Sequence, residues 1–265
     1  MTISDRSELI SVILPVYNGE KTVEASVASV LEQTYKNIEL IIVDDASEDG
    51  TPEKLSMLAG HDSRITVITN KTNCGRLRSR CKAVEAAKSE WIAFIDADDL
   101  WQPDKVEKQL VFRDSAGCDL IYTASAFIDG EDNKYKWIMH VPARVNYRKL
   151  LKQNIISNSS VMVRKMDFVK YLPSTEGVND MHEDFACWLN MLRAGLVACG
   201  IDEPLITYRI SGKSGSGNKM KASVMNMNTY KCIGLGFFER YFYQACYAVN
   251  GFRKYMHLNK GNMHS

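Results

Sequence analysis

The stretch Trp91 to Pro103, WIAFIDADDLWQP, runs from apolar residues into three carboxylates, Asp96, Asp98 and Asp99. Trp91 to Ile95 is short and rich in aromatic and branched residues, which predicts a fully buried strand rather than a helix too brief to stand alone. Pro103 then starts a new element. In an α/β sheet, ligands bind in the crevice outside the carboxyl ends of the strands, so hard oxygen donors clustered there suit a metal or a polyol. On the tripeptide alone a second reading stands beside it: Asp98 and Asp99 cap the next helix or form a turn.

These acids need a scaffold, and composition bounds it. With 265 residues, 45% hydrophobic and 25% charged, the chain is long enough for one large globular domain or a domain with an appendage. A formal net charge of +1 argues against bulk nucleic-acid binding. Seven cysteines are scattered without a C-x-x-C pair, which excludes a zinc ribbon or thioredoxin motif and fits reduced thiols in a cytosol. The polar start MTISDRSELI lacks the pattern of a signal peptide, supporting the same compartment. No apolar run approaches the roughly 20 residues that span a bilayer.

In chain order, Ile10 to Val16 predicts a buried strand and Glu20 to Gln33 a helix with Val23, Val27, Val30 and Leu31 on one stripe. Ile38 to Val43 is a second strand ending in Asp44-Asp45, and Thr51-Pro52 starts a helix. Arg64 to Thr69 is a third strand, and Asn73-Cys74-Gly75 turns into a basic helix from Arg76 to Lys88. This strand-helix alternation predicts a central, mostly parallel sheet flanked by helices. Beyond it, strands are expected at Leu120 to Ile128, Ser160 to Val163, Leu196 to Ile201 and Pro204 to Ile210. Short helices are expected at Tyr147 to Lys152 and Met166 to Tyr171. In HEDFACWLNMLRAG, Phe185, Trp188, Leu189 and Leu192 share a face, His182, Glu183 and Asp184 form an acidic first turn, and Gly195 ends the helix. Residues 1–210 therefore read as one domain, with a first half to about 103 and a second half from 104. Residues 211–265 read as a Gly/Ser/Lys loop and a C-terminal amphipathic helix carrying Phe238, Tyr241, Phe242, Ala245, Val249, Phe252 and Met256. That helix admits two readings: it packs on the domain or a twin subunit, as in a homodimer, or it lies in a membrane interface.

The motifs PVYNGE, VDDASEDGT, NCGRLRSRC, DADD and HEDF occur in an order that resembles the family 2 glycosyltransferases with the GT-A fold, from about Ile10 to Arg209. The resemblance implies sugar transfer from a nucleotide donor, usually a uridine diphosphate sugar, with a divalent metal and inversion of the anomeric configuration. It implies that Pro15, Tyr17 and Asn18 lie against the base and that Asp45 contacts the nucleoside; a turn cap is the other reading of Asp45, and an ordinary core aromatic that of Tyr17. Arg76 and Arg80 are one helical turn apart and can point cations at a diphosphate, or form a solvated basic face. Ser79 and Cys81 depart from the family's Ala and Asn beside that arginine.

Asp96 and Asp98, two apart on an extended segment, face one side, and with diphosphate oxygens and waters they suit Mg2+ or Mn2+. In the family's pattern Asp98 is the metal ligand and Asp96 reaches the donor ribose or the metal shell, with Asp99 supporting the loop. Asp184 matches the family's general base; by itself, an acid at a helix N-terminus is also explained by about 0.3–1 kcal/mol of dipole stabilisation. His182 and Glu183 are its neighbours in the acceptor pocket. Arg209, with Lys213 and Lys219, could add cations over the diphosphate. Q-x-x-R-W is absent, which favours single-sugar addition over polymerisation. The expected acceptor is a surface-glycan or lipid-linked saccharide at the inner face of a bacterial membrane. A non-catalytic nucleotide-sugar-binding or scaffold subunit is the alternative, and the intact Asp96, Asp98 and Asp184 argue against it. A Rossmann dehydrogenase is excluded by the missing G-x-G-x-x-G.

Overall fold

The computed structural model describes residues 8–174, 180–210 and 219–261. Strands β1 (Ile10–Val16), β2 (Ile38–Asp44), β3 (Ile65–Thr69) and β4 (Trp91–Phe94) pair in parallel in the order β3-β2-β1-β4. Helices α1 (Val23–Leu31), α2 (Thr51–His61) and α3 (Arg76–Ala86) connect them. Every residue of β1, β2 and β4 is buried, because a parallel sheet is covered on both faces and its strands are apolar on both. Alternate residues separate into two cores: Ile13, Ile41, Ile92 and Phe94 on one face, Val12, Leu40, Ala93 and Ile95 on the other.

The sheet then continues with β8 (Met162–Arg164) antiparallel to β4, β6 (Leu120–Ile128) antiparallel to β8, and β9 (Ala198–Arg209) parallel to β6. Two reversals return β6 and β9 to the direction of β4, so the end of β9 emerges at the same sheet edge as the ends of β1, β2 and β4. Between these strands lie α4 (Lys105–Ala116), α5 (Tyr147–Lys152), α6 (Lys165–Tyr171) and α7 (Glu183–Arg193). Two short strands, β5 (Leu100–Trp101) and β7 (Arg144–Val145), pair antiparallel with β9; two residues leave no periodic signal, so neither was foreseen. The rings of Phe94 on β4, Phe168 on α6 and Trp188 on α7 pack together, Phe94 to Phe168 at 4.8 Å. That cluster ties the exit of β4 to the base of α7.

Several expectations are corrected. The two strands expected at Leu196 to Ile201 and Pro204 to Ile210 are one strand: Thr123 faces Ile201 and Ala124 faces Pro204, so Asp202 and Glu203 bulge without ending the pairing. Seven free thiols were expected, but Cys118 and Cys199 form a disulfide with Cα atoms 6.0 Å apart, because β6 and β9 are paired neighbours there. The boundary at 210 does not coincide with an edge of the core. Helix α8 (Lys219–Cys232) buries Thr229 and Tyr230 completely, and the Tyr230 hydroxyl donates to Leu151 O at 2.6 Å. Its apolar residues are interleaved with polar ones and gather on no one face, which hid it from periodicity. Tyr230→Ala should therefore cost about 3–5 kcal/mol, the range for emptying a buried aromatic site, measured by urea unfolding; a loss under 1 kcal/mol would detach α8 from the core.

Helix α9 (Phe237–Gly261) packs through Tyr243 and Tyr247, with Gln244 accepting from Asn226 at 2.8 Å and Asn250 donating to Lys152 O at 3.2 Å. Of the expected stripe, Phe238, Tyr241, Phe242, Ala245 and Val249 are thus not on the side that packs on the domain but exposed, and the side chains of Phe252 and Met256 lie outside the described residues. No helix among the described residues is long and apolar enough to cross a membrane.

Candidate active site

The exits of β1, β2, β4 and β9 bring the expected residues to one edge. Pro15 is buried in β1 beyond its last pairing with β4, Ile13 with Phe94, so the missing N–H interrupts no bond to that strand. Tyr17 is exposed at 45%, which sets aside the reading of it as a core aromatic. Asn18 adopts φ 52°; its N–H donates to Ser47 Oγ and its Oδ1 accepts from Glu48 N, both at 2.9 Å, joining the loops after β1 and β2.

Asp45 is 2% exposed and organises the turn before α3. Its Oδ1 accepts from Asn70 Nδ2 at 2.8 Å and Cys74 N at 2.9 Å, and its Oδ2 from Gly75 N at 2.8 Å. Burial opposes its charge, but these donors outweigh burial and hold the carboxyl below its ordinary value. Gly75 sits at φ 88°, a conformation strained for any side chain, and this turns its N–H to Asp45.

The two arginines of α3 do not share one open face. Arg80 is 2% exposed and bridges two acids, Nη2 to Asp96 Oδ1 at 3.3 Å and Nη1 to Glu183 Oε1 at 3.2 Å. Arg76, half exposed, approaches the same Glu183 oxygen at 3.4 Å. Burial opposes the charge of Arg76, while Glu183, Asp96 and Asp184 around it hold its pKa above the ordinary arginine value. Burial likewise opposes ionisation of Glu183, and Arg80 and Arg76 reverse that and keep it ionised. Asp184, the next residue, goes the other way: burial and the Glu183 charge push its carboxyl up. One acid of the pair is a fixed anion and the other is tuned toward accepting a proton. His182 stands at the N-cap of α7, its N–H donating to Thr229 Oγ1 on α8 at 3.0 Å.

The DADD loop is held from three sides. Asp96 N donates to Ser159 Oγ at 3.0 Å, and Asp96 Oδ1 also accepts from Asn158 Nδ2 at 3.1 Å. Asp99 is fully buried, accepting from Ser159 Oγ at 2.5 Å and from Arg209 N at 3.0 Å. The Arg209 guanidinium donates to Asp98 O at 3.0 Å and to Asp132 at 2.7 Å. It clasps the loop from behind rather than standing over an open diphosphate site. Asn158, Ser159 and Asp132 were not foreseen; the one signal for the first two was a polar Asn-Ser-Ser run before a buried strand. Lys213 and the side chain of Lys219 lie outside the described residues.

Asp98 sends no carboxylate oxygen to another side chain in this frame among the described residues. Burial, with the Asp96 charge adding to it, pushes its carboxyl up to about 6. An incoming cation would relieve that repulsion, so the donor set fits a divalent metal at Asp98. No group of three His, Cys, Asp or Glu side chains that could hold a metal occurs among the described residues. The remaining ligands would be phosphate oxygens and water, the usual arrangement for Mg2+.

Comparison with known families decides what this edge belongs to: the model of glycosyl transferase family 2 matches residues 11–171. The chain belongs to glycosyl transferase family 2. This family 2 glycosyltransferase is 35% identical over 248 residues to TuaG of Bacillus subtilis (strain 168), whose name places it in teichuronic acid biosynthesis; the match covers 93% of this chain and 97% of TuaG. It is 34% identical over 253 residues to WfaP of Escherichia coli, a UDP-Glc:alpha-D-GlcNAc-diphosphoundecaprenol beta-1,3-glucosyltransferase, covering 94% and 96%. Among solved structures, S. aureus TarS in complex with UDP-GlcNAc superposes with a TM-score of 0.68 at 17% identity, covering 92% of this chain and 72% of that one. The mannosyltransferase PcManGT from Pyrobaculum calidifontis, in complex with GDP-Man and Mn2+, gives 0.66 at 17% identity, covering 86% and 64%. These likenesses show the GT-A fold expected from the motifs.

Proposed function

We propose that this glycosyltransferase moves a single sugar from a UDP-sugar to a saccharide carried on a lipid diphosphate at the inner face of the membrane, with inversion at the anomeric carbon. The observation that carries it is the Arg80 bridge: one buried guanidinium joins Asp96, at the exit of β4, to Glu183, beside Asp184, and so sets donor-side acids against the base. The acceptor class is supported by WfaP and WfgD of Escherichia coli, which both act on a GlcNAc-diphosphoundecaprenol.

In this reading Tyr17 and Asn18 border the nucleoside, and Asp45 holds the turn that receives it. Asp96 binds the donor ribose through its second oxygen, and half-exposed Arg76 meets the diphosphate. Arg80 and Arg209 are positioning residues, fixing Asp96 and Asp98 in place. Asp98, with diphosphate oxygens, would hold Mg2+ or Mn2+, which when bound offsets charge on the departing nucleoside diphosphate. Asp184 takes the proton of the acceptor hydroxyl as its oxygen bonds to the anomeric carbon from the face opposite the leaving group; the carbon–diphosphate bond breaks and the proton stays on Asp184.

The test is transfer to a synthetic GlcNAc-diphospholipid from a panel of nucleotide sugars with Mn2+. A UDP-sugar should be used and the product should carry the inverted anomer by proton NMR. Retention of configuration, or donor binding without transfer to any diphospholipid-linked saccharide, would reject the proposal.

A further inference from the structure

The outward side of α9 is apolar for more than three turns. At 100° per residue, Phe237, Phe238, Tyr241, Phe242, Ala245, Ala248 and Val249 fall on one side, and Glu239 and Arg240 fall off it. Phe238 is 85% exposed, Phe237 60%, Phe242 58% and Tyr241 57%. The opposite side is committed to the domain through Tyr243, Gln244, Tyr247 and Asn250, so the helix cannot roll to hide its aromatic rings. Contiguous exposed apolar patches of a few hundred Å2 on a monomeric protein are often functional.

The surroundings identify the occupant. Helix α5 packs beside α9, and its Arg148, Lys149 and Lys152 are exposed; Lys231 is exposed near the end of α8. An exposed aromatic face on a helix packed against the cationic α5 matches the acyl and anionic headgroup layers of a membrane surface. The helix that carries this face is also coupled, through its inner side, to the reaction centre: Phe185, next to Asp184, packs its ring on Tyr230 of α8 and Tyr247 of α9, both at 6.2 Å.

We infer that the outward side of α9, with the exposed cations of α5 and Lys231, seats the enzyme in the headgroup region of an anionic bilayer and so holds α7 at a set position over that surface. The inference rests on the lipid-carried acceptor of the proposed function, and its test reads membrane binding without any transfer step. The full chain is floated with vesicles of phosphatidylethanolamine and phosphatidylglycerol, and with vesicles of phosphatidylcholine alone. Binding should favour the anionic vesicles and fall about tenfold or more in Phe238→Ser/Phe242→Ser and in Arg148→Glu/Lys149→Glu/Lys152→Glu. Circular dichroism, melting temperature and transfer to a detergent-dispersed acceptor should stay at wild-type values in both. No flotation of the wild type, flotation that survives both variants, or a solution dimer that Phe238→Ser/Phe242→Ser dissociates would overturn the inference. Flotation with these losses in an enzyme that transfers to no lipid-linked acceptor would reject the proposed acceptor and leave the membrane face supported.

Discussion

Asp184→Asn should bind UDP with wild-type affinity and lose roughly 10²–10⁴-fold in transfer, the usual worth of a positioned general base. The amide keeps the shape of the side chain at the start of α7 but cannot accept the hydroxyl proton. Glu183 and its pairs with Arg76 and Arg80 stay intact, so the frame around the site is undisturbed. The pH profile supplies a second readout. Burial and the Glu183 charge raise the Asp184 carboxyl above the ordinary value of about 3.9, so wild-type transfer should fall as pH drops through that raised pKa. The residual transfer of the variant should lack this limb. Near-normal turnover in Asp184→Asn, with calorimetry showing unchanged UDP binding, would remove the base assignment.

Asp98→Ala should abolish the Mn2+ dependence of UDP binding, read by calorimetry with and without the cation, and should at the same time make the cation-free protein more stable at neutral pH. The sign follows from linkage. The carboxyl is pushed up to about 6 in the folded chain, above its unfolded value. Its favourable contribution is therefore present at low pH and is lost as pH rises through about 6, leaving a strained carboxylate at pH 7. Removing it should raise stability at pH 7 on the order of 2 kcal/mol, and the gain should vanish near pH 4. Mn2+ with UDP should raise the melting temperature of the wild type and not of the variant. A variant that keeps wild-type Mn2+-dependent UDP binding would move the metal away from Asp98. A residue that weakens the cation-free fold and matters only with ligand bound is the signature of a functional carboxylate rather than a helix cap.

The parallel half of the sheet was legible because its strands are mostly apolar runs, Ile10 to Val16, Ile38 to Val43 and Trp91 to Ile95, each followed by polar or half-polar residues. The acids at their exits were legible for the same reason: a buried strand that stops at carboxylates states where water or a ligand begins. The short strands β5 and β7 and helix α8 were not, since two residues carry no period and α8 owes its burial to Tyr230 meeting Leu151 across the fold.

By itself the sequence determined which residue types reach the carboxyl edge of the sheet and in what order, since strand identity is a local property of hydrophobic pattern. Only the tertiary structure decided what each of them does there. Arg80 meets Glu183 across 103 positions, and Arg209 reaches the DADD loop across more than 100; no local spacing records such a pairing. The same limit applied to α9. Its pattern showed a one-sided helix, but which side faces the domain depended on Tyr243 and Tyr247 finding the core through Tyr230 and Phe185, and that packing is what turned Phe238 and Phe242 outward.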